Sequence, residues 1–162
     1  MLSKTEFKQI FDSYFDTIRS FIFYRCGDAD TASDIAQDVF MKIWEKREHM
    51  QIGEIKPLLY KIANDMVISN YRKSTTRWEY EQSMTVKTET PLSPEDEVNF
   101  RELSSTYAKA LEVMPENQRT VFLMNRNDEM KYQEIAECLK LSVKAVEKRM
   151  SAALQYLRTQ LL

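Results

Sequence analysis

Three stretches in the first half of the chain carry apolar residues at steps of three and four. This spacing places the apolar side chains along one side of an α-helix. The first stripe runs from Phe7 to Ile22, the second from Ala32 to Trp44 and the third from Ile55 to Val67, with Gly27 and Gly53 between them. The first half is therefore predicted to form three amphipathic helices around one hydrophobic core.

The helical period disappears after about residue 75 and returns near residue 98. The intervening stretch accumulates Ser, Thr, Glu and proline, a composition typical of a linker. Beyond it, apolar spacing predicts helices on both sides of Pro115 and a final pair between Tyr132 and Arg158. The sequence predicts an all-α protein of two small helical domains, residues 1–75 and 98–162, joined by an acidic linker at 76–97.

The composition agrees with long helices, because 43% of the 162 residues are hydrophobic, 30% are charged and only two are glycine. The formal net charge of -2 lacks the overall basic character of many nucleic-acid-binding domains. The charge is uneven, however, since basic stretches at 56–77 and 140–158 flank an acidic stretch at 79–102. Two basic surfaces separated by an acidic connector keep nucleic-acid binding open.

The sequence offers no pattern typical of a metal site, a disulfide framework or catalysis. Cys26 and Cys138 lie far apart without CxxC spacing, and His49 is the only histidine. No glycine-rich phosphate loop is found. Acidic pairs such as Asp34 and Asp38 are interpreted as interaction groups, because their helix face lacks other polar partners for acid–base chemistry. We expect no catalytic residues, no metal, no cofactor and no enzymatic activity.

No stretch approaches the roughly 20 consecutive apolar residues that span a bilayer. The first residues also lack the apolar core of a signal peptide. The sequence therefore predicts a cytoplasmic protein with no direct membrane insertion.

The segment from Tyr132 to Arg158 has the spacing of a helix-turn-helix. The inner faces of its two helices are predicted to be apolar and to comprise Ile135, Ala136, Leu139, Val143, Val146 and Met150. Ser142 can cap the second helix. Lys140 occupies the turn position where glycine is usual, at a cost of about 1 kcal/mol for a left-handed conformation. An ordinary helical hairpin is the alternative.

In a helix-turn-helix, the second helix enters the major groove of DNA. The outward candidates on this helix are Ser142, Lys144, Ala145, Glu147, Lys148, Arg149 and Ser151. Cations position a protein on phosphates, whereas the shorter polar groups discriminate between bases. Arg149 and Arg158 are better placed for phosphate. These residues form the candidate site for double-stranded DNA.

Two motifs occur in order along the chain. The first has the pattern D-x-x-x-A-x-D-x-x-Q-x-x-F-x-x-x-W and comprises Asp28, Ala32, Asp34, Gln37, Phe40 and Trp44. The second comprises Pro115, Glu134-Ile135-Ala136, Ser142-Val143 and Val146. With a linker between them, the chain resembles the extracytoplasmic-function sigma factors, which contain only sigma regions two and four. The resemblance covers nearly the full length and implies a protein that brings core RNA polymerase to promoter DNA.

The resemblance assigns the outer face of the second helix to the clamp helices of core polymerase. That face is expected to expose polar and acidic residues, namely Asp34, Gln37, Asp38, Met41 and Glu45. From the residues alone, an ordinary solvated face is the alternative.

The resemblance assigns the outer face of the third helix to extruded bases of the minus-10 element, and the helix-turn-helix to the minus-35 element. The minus-10 candidates, expected to lie outside, are Tyr60, Lys61, Asn64, Asp65, Ser69, Arg72 and Lys73. Aromatic and amide groups beside cations suit single-stranded bases, and their capture would help to open the duplex. Asn64-Asp65 and Ser69 differ from the residues common in the family, which leaves the base preference open.

The resemblance also implies an anti-sigma factor as a partner. Two other functions remain open from the residues. One is a helix-turn-helix regulator that does not bind polymerase as a sigma subunit, and the other is a helical protein-interaction module. Core-dependent initiation distinguishes the first from a sigma factor, and a steep fall of DNA affinity with salt would exclude the second.

Overall fold

The computed structural model of the protein describes residues 1–50, 53, 55–71 and 93–162, with only the backbone described at Tyr71 and Phe100. Helices dominate this part of the chain, and it contains no β-strand. The first domain contains α1 (Lys4–Cys26), α2 (Ala29–Glu45), a short 3-10 helix (Arg47–His49) and α3 (Ile55–Tyr71). The second contains α4 (Pro94–Val113), α5 (Glu116–Arg126), α6 (Tyr132–Leu139) and α7 (Val143–Leu161). The predicted all-α fold is confirmed. None of these helices is both long and apolar enough to cross a membrane.

The ends of α1 and α2 follow from local sequence. Ser3 and Glu6 form a capping box, in which the Glu6 amide donates to Ser3 Oγ at 3.1 Å and the Ser3 amide donates to Glu6 Oε2 at 2.9 Å. Helix α1 ends at Gly27, whose φ of 75° is a left-handed conformation that glycine adopts readily. Asp28 then caps α2 by accepting a hydrogen bond from the Asp30 amide at 3.1 Å. Each side-chain cap is formed between residues two or three positions apart.

The predicted linker at 76–97 lies mostly outside the described residues. Its last residues belong to α4, which begins at Pro94 rather than near residue 98. Ser93 Oγ accepts a hydrogen bond from the Asp96 amide at 3.2 Å, and the first turn carries three acidic residues. A capping serine, an early proline and acids near the positive end of the helix dipole all favour this start. Helix α4 therefore starts inside the stretch assigned to the linker, and the domain bounds stay a prediction.

The three helices of the first domain enclose one hydrophobic core, because each contributes its apolar stripe. The fully buried members include Phe21, Ile22, Ile43 and Leu59. Complete burial of a side chain of this size contributes about 1.5–3 kcal/mol before the entropy of ordering is subtracted. The core thus fixes which faces of α2 and α3 remain outside.

Helices α6 and α7 form the expected helix-turn-helix. Lys140 adopts the left-handed conformation, with φ 55° and ψ 47°. The Leu141 amide donates to the Ala136 carbonyl at 2.9 Å, which closes the end of α6. Ser142 Oγ accepts a hydrogen bond from the Ala145 amide at 3.1 Å and caps α7. The turn therefore keeps its geometry with lysine in place of glycine.

The inner faces of this pair are buried at Ile135, Ala136, Val146 and Met150. Val143 differs from the expectation, because 40% of its surface is exposed. It is the first residue of α7. The start of α7 is therefore more open than the apolar spacing indicated.

The two domains pack against each other, with α1 against α5 and α3 against α6. Arg119 of α5 is only 6% exposed. Its guanidinium donates to the carbonyls of Tyr24 at 2.8 Å and Arg25 at 3.2 Å, near the end of α1. It also donates to the carbonyls of Leu111 at 3.2 Å and Met114 at 3.1 Å, near the end of α4. Arg119 therefore joins two helix C-termini from different domains.

Candidate nucleic-acid interface

Helix α7 presents a polar and cationic face to solvent. Five of its seven candidate residues are exposed, namely Ser142, Lys144, Glu147, Lys148 and Ser151. Ala145 and Arg149 are half-buried. Lys144 and Lys148 are four residues apart, so they lie on the same side of the helix. The face predicted to contact DNA is directed away from the interior of its own domain.

The start of α7 combines two features that favour phosphate. The amides of its first turn lie at the positive end of the helix dipole, and exposed Lys144 adds a full positive charge beside them. The Ser142 oxygen is already engaged as the helix cap. Its hydroxyl hydrogen is still available to donate to a phosphate oxygen. This end of α7 is therefore suited to approach the edge of a DNA groove.

Helix α3 exposes a narrower polar stripe than the sequence indicated. Lys61, Asp65 and Ser69 are exposed and follow one another at steps of four. Asn64 is half-buried, and its side-chain oxygen accepts a hydrogen bond from Arg25 Nη1. The candidate cations Arg72 and Lys73 lie outside the described residues.

Tyr60 is the clearest correction, because the expectation that it lies on the outer face of α3 was wrong. Its side chain has no exposed surface. Its ring packs edge-on against Phe21, with 5.1 Å between the ring centroids. Its hydroxyl faces Cys138 of α6, and burial raises the pKa of Tyr60 above its ordinary value. Helix periodicity placed Tyr60 on the outer face of α3, and α6 of the second domain packs against α3 there.

The candidate polymerase surface on α2 is entirely exposed. It comprises Asp34, Gln37, Asp38, Met41 and Glu45. Met41 is 60% exposed, although it is a large apolar side chain. Asp34, Asp38, Met41 and Glu45 follow at steps of three or four and therefore form one stripe. This stripe suits a basic protein partner with an apolar contact at its centre.

Sequence reasoning missed an aromatic groove between α1 and α2. Phe7, Phe11 and Trp44 line it together with Lys4, Lys8 and other residues of the first turns, and it encloses ≈ 730 Å³. The Phe7 and Trp44 rings pack edge-on at 5.0 Å, and the Arg47 guanidinium lies 3.9 Å from the centre of the Trp44 ring. The three aromatic residues were assigned to the inner stripes, but Phe11 is 36% exposed. Helical periodicity predicted which side of each helix packs inward, but it did not predict which of those residues lie at the edge of the contact and stay partly exposed.

Two known domain families match the chain in the expected order. Sigma-70 region 2 matches residues 10–77, and sigma-70 region 4 matches residues 105–157. The first match contains the exposed faces of α2 and α3, and the second contains the helix-turn-helix. The two matches together show a transcription initiation factor of the sigma-70 class.

Relatives with similar sequences indicate the subfamily within the sigma-70 class. The chain is 28% identical over 165 residues to the ECF RNA polymerase sigma factor SigW of Bacillus subtilis strain 168, covering 96% of this chain and 88% of SigW. It is 23% identical over 151 residues to the ferric citrate uptake sigma factor FecI of Escherichia coli K12, covering 93% of this chain and 87% of FecI. The chain belongs to the extracytoplasmic-function sigma factors of the sigma-70 family. It is a promoter-recognising sigma factor and not an enzyme.

Solved structures share the fold across both domains. The sigma factor RpoE, solved in complex with the anti-sigma factor NepR from Bartonella quintana, has a TM-score of 0.67, with 22% identity and 96% of each chain covered. CnrH, solved in complex with the cytosolic domain of CnrY, has a TM-score of 0.63 and is 19% identical. This match covers 97% of this chain and 88% of CnrH.

Proposed function

We propose that this chain binds core RNA polymerase through α2, contacts the minus-35 element through α7 and captures bases of the minus-10 element through α3. The observation that carries the proposal is the exposed cationic face of α7, whose opposite face is buried in a helix-turn-helix. A helix held in this way can enter the major groove without unfolding its own domain.

On α7, each proposed contact has its own chemistry. Lys144 and Lys148 neutralise phosphates, which provides affinity without sequence preference. Glu147 can accept a hydrogen bond from the amino group of cytosine, and the Ala145 methyl group can contact the thymine methyl group. Arg149 is half-buried, so its long side chain reaches a phosphate from the margin of the helix. Ser142 and Ser151 are exposed hydroxyl groups that can contact bases or phosphates.

On α3, the exposed stripe of Lys61, Asp65 and Ser69 supports single-strand binding. Lys61 would meet the phosphate backbone, and the shorter side chains would hydrogen-bond to base edges. Arg72 and Lys73 stay in the proposal on sequence grounds alone. Holding a base out of the stack costs a few kcal/mol. If contacts with α3 offset this cost, capture of the bases favours the open duplex.

On α2, the acidic stripe supports a polymerase contact of opposite charge. Charge complementarity speeds association and selects the partner, and the exposed Met41 provides apolar area that can be buried on binding. Because the function requires polymerase and chromosomal DNA, we place the protein in the cytoplasm. RpoE was solved with the anti-sigma factor NepR, and CnrH was solved with the cytosolic domain of CnrY. We therefore include an anti-sigma factor among the partners of this chain.

The test is transcription in vitro with purified core polymerase and a genomic promoter library. Wild-type protein should produce initiation at a defined set of promoters that core enzyme alone does not use. Replacing Lys144 and Lys148 with alanine together should weaken binding to the upstream element, whereas Lys109→Ala, on an exposed part of α4, should not. DNA binding without an effect on initiation would instead indicate a helix-turn-helix regulator.

A further inference from the structure

The aromatic groove between α1 and α2 takes no part in the three contacts proposed above. Phe7 and Phe11 of α1 and Trp44 of α2 contribute its rings. Its volume of ≈ 730 Å³ lies within the range of about 300–1,000 Å³ that is typical of clefts for small organic molecules. The groove is therefore large enough to accept a flat base from a nucleic acid.

The rings of the groove are held in place by their neighbours. The Phe11 ring stacks on Phe15 with 4.7 Å between the ring centroids, and it meets the edge of Phe40 at 5.2 Å. Arg47 donates from Nη1 to the Trp44 carbonyl at 2.8 Å, and its guanidinium lies 3.9 Å from the centre of the Trp44 ring. Fixed aromatic rings and guanidinium groups are surfaces on which bases of single strands stack.

Two lysines add positive charge beside these rings. Lys4 and Lys8 line the groove, are both exposed, and lie on the same side of α1 because they are four residues apart. Neither forms an ion pair within the described part of the chain. Of the described residues that line the groove, only Asp12 is acidic. Unpaired lysines beside aromatic rings suit a partner that carries both negative charge and flat apolar groups, as single-stranded DNA does.

The charge of the groove also distinguishes it from the proposed polymerase surface on α2. That surface is an acidic stripe, which suits a basic partner. A basic partner would be repelled by Lys4 and Lys8, because like charges brought together oppose association. The groove therefore favours DNA over an extension of the polymerase contact.

The groove lies where the first domain leads into α3. Because residues 27–28 alone join α1 to α2, the start of α1 lies beside the end of α2, and the Phe7 and Trp44 rings meet there at 5.0 Å. The short 3-10 helix then leads from the end of α2 to the start of α3. The Leu2 amide donates to the Arg47 carbonyl at 2.8 Å, which holds the beginning of the chain against this connection. A strand bound to α3 can thus continue into the groove within one domain.

We propose that the aromatic groove binds bases of the single strand next to the minus-10 element, so that this strand continues from α3 across the start of α1. The inference rests on the proposed function of α3 and adds a second base-binding site to it. Phe11 is the surface for stacking, and Lys4 and Lys8 neutralise the adjacent phosphates. Because every base can stack, the groove contributes affinity for the open strand without a preference for its sequence.

The first experiment compares two single-stranded DNA probes on holoenzyme assembled from core polymerase and this chain. Both probes carry the minus-10 sequence of a promoter used in the transcription assay, with about five nucleotides on each side, and in one probe the flanking nucleotides lack their bases. Fluorescence anisotropy gives the two affinities. Removing the flanking bases should weaken binding to wild-type holoenzyme by about 5-fold or more, because stacking is lost while every phosphate remains. Core polymerase alone is measured with both probes as the background.

Phe11→Leu keeps an apolar side chain in the groove and removes the ring. Its holoenzyme should bind the two probes with affinities within about 2-fold of each other, because the flanking bases have lost their stacking surface. Phe122→Leu removes a ring of the same size from the second domain and should keep the wild-type difference between the probes. The comparison between probes cancels any general loss of active protein, since both probes are measured on the same holoenzyme.

The second experiment tests the charges of the groove. Replacing Lys4 and Lys8 with alanine together should make the slope of log affinity against log salt shallower by about 1.4, since each phosphate contact on a single strand contributes about 0.7. Replacing Lys109 and Lys131 with alanine together removes two exposed lysines of the second domain and should leave the slope unchanged.

The possible failures have different meanings. If Phe11→Leu keeps the wild-type difference between the probes and the groove lysines do not alter the salt slope, the groove is not a DNA site. Loss of co-purification with core polymerase in the groove variants, but not in their controls, would make the groove a polymerase contact and would also overturn the inference. Wild-type holoenzyme that initiates at promoters but binds both probes equally contradicts the groove and leaves the function of α3 intact. Absence of core-dependent initiation by the wild-type chain overturns the proposed function itself.

Discussion

Arg119→Ala tests how the second domain is held together and how it is joined to the first. The guanidinium is buried and donates to four carbonyl groups, of Tyr24, Arg25, Leu111 and Met114. The last turn of α1, the last turn of α4 and Met114 just beyond α4 contribute these oxygens, and helix ends leave such carbonyls without partners inside the helix. Arg119 also brings a positive charge to the negative ends of two helix dipoles.

The expected loss of stability depends on which carbonyl groups are left without a hydrogen-bond donor when the Arg119 side chain is removed. Without Arg119, the carbonyls of Tyr24 and Arg25 can be hydrated if the domains separate. Losing these two hydrogen bonds therefore weakens the interface between the domains more than it weakens the fold of either domain. The carbonyls of Leu111 and Met114 belong to the second domain, and each buried group without a partner costs about 1–3 kcal/mol. We expect the free energy of unfolding of the second domain to fall by about 2–4 kcal/mol. For a domain of this size, that lowers Tm by about 10 °C or more.

The assay is urea unfolding followed by circular dichroism, together with a thermal scan, on the full chain. Arg126→Ala, at an exposed arginine of the same helix, is the matched control and should unfold like wild type. Arg119→Lys keeps the charge but cannot reach all four carbonyls, so it should lie between the alanine variant and wild type. An unfolding free energy for Arg119→Ala within about 0.5 kcal/mol of wild type would refute this account of the buried guanidinium.

Three further predictions concern surfaces and pH. Lys148→Ala should weaken minus-35 binding and reduce the slope of log affinity against log salt by about 0.9, as expected for one lost phosphate contact; an unchanged slope would remove Lys148 from the interface. Asp38→Arg should impair co-purification with core polymerase relative to Asp16→Arg on the exposed side of α1, and equal recovery of both would contradict the assignment of α2. Burial raises the pKa of Asp128 from 3.8 to about 6, so the packed form holds this proton more tightly than an unfolded or hydrated carboxyl does. The contribution of Asp128 to the free energy of unfolding, measured by urea unfolding at several pH values, should therefore be fully present below about pH 4 and be lost as the pH rises through 6, and this dependence should disappear in Asp128→Asn.

Only part of the candidate site could be predicted from the sequence. The exposed residues of α2 and most of those on α7 lie where helical periodicity put them, because a buried stripe on one side of a helix leaves the other side to solvent. Tyr60 shows the limit of that reasoning. It was placed on the outer face of α3, and periodicity within one helix carries no information about a second domain that packs against that helix.

The sequence alone determined the three helices of the first domain and the helix-turn-helix, since these depend on residues a few positions apart. The Ser3 and Glu6 capping box and the Ser142 cap are interactions of this local kind. Only the tertiary structure decided that Arg119 is buried against the end of α1 and that Tyr60 faces α6. Tyr24 and Arg119 are 95 positions apart, and the free energy of such a contact depends on how two finished domains fit together.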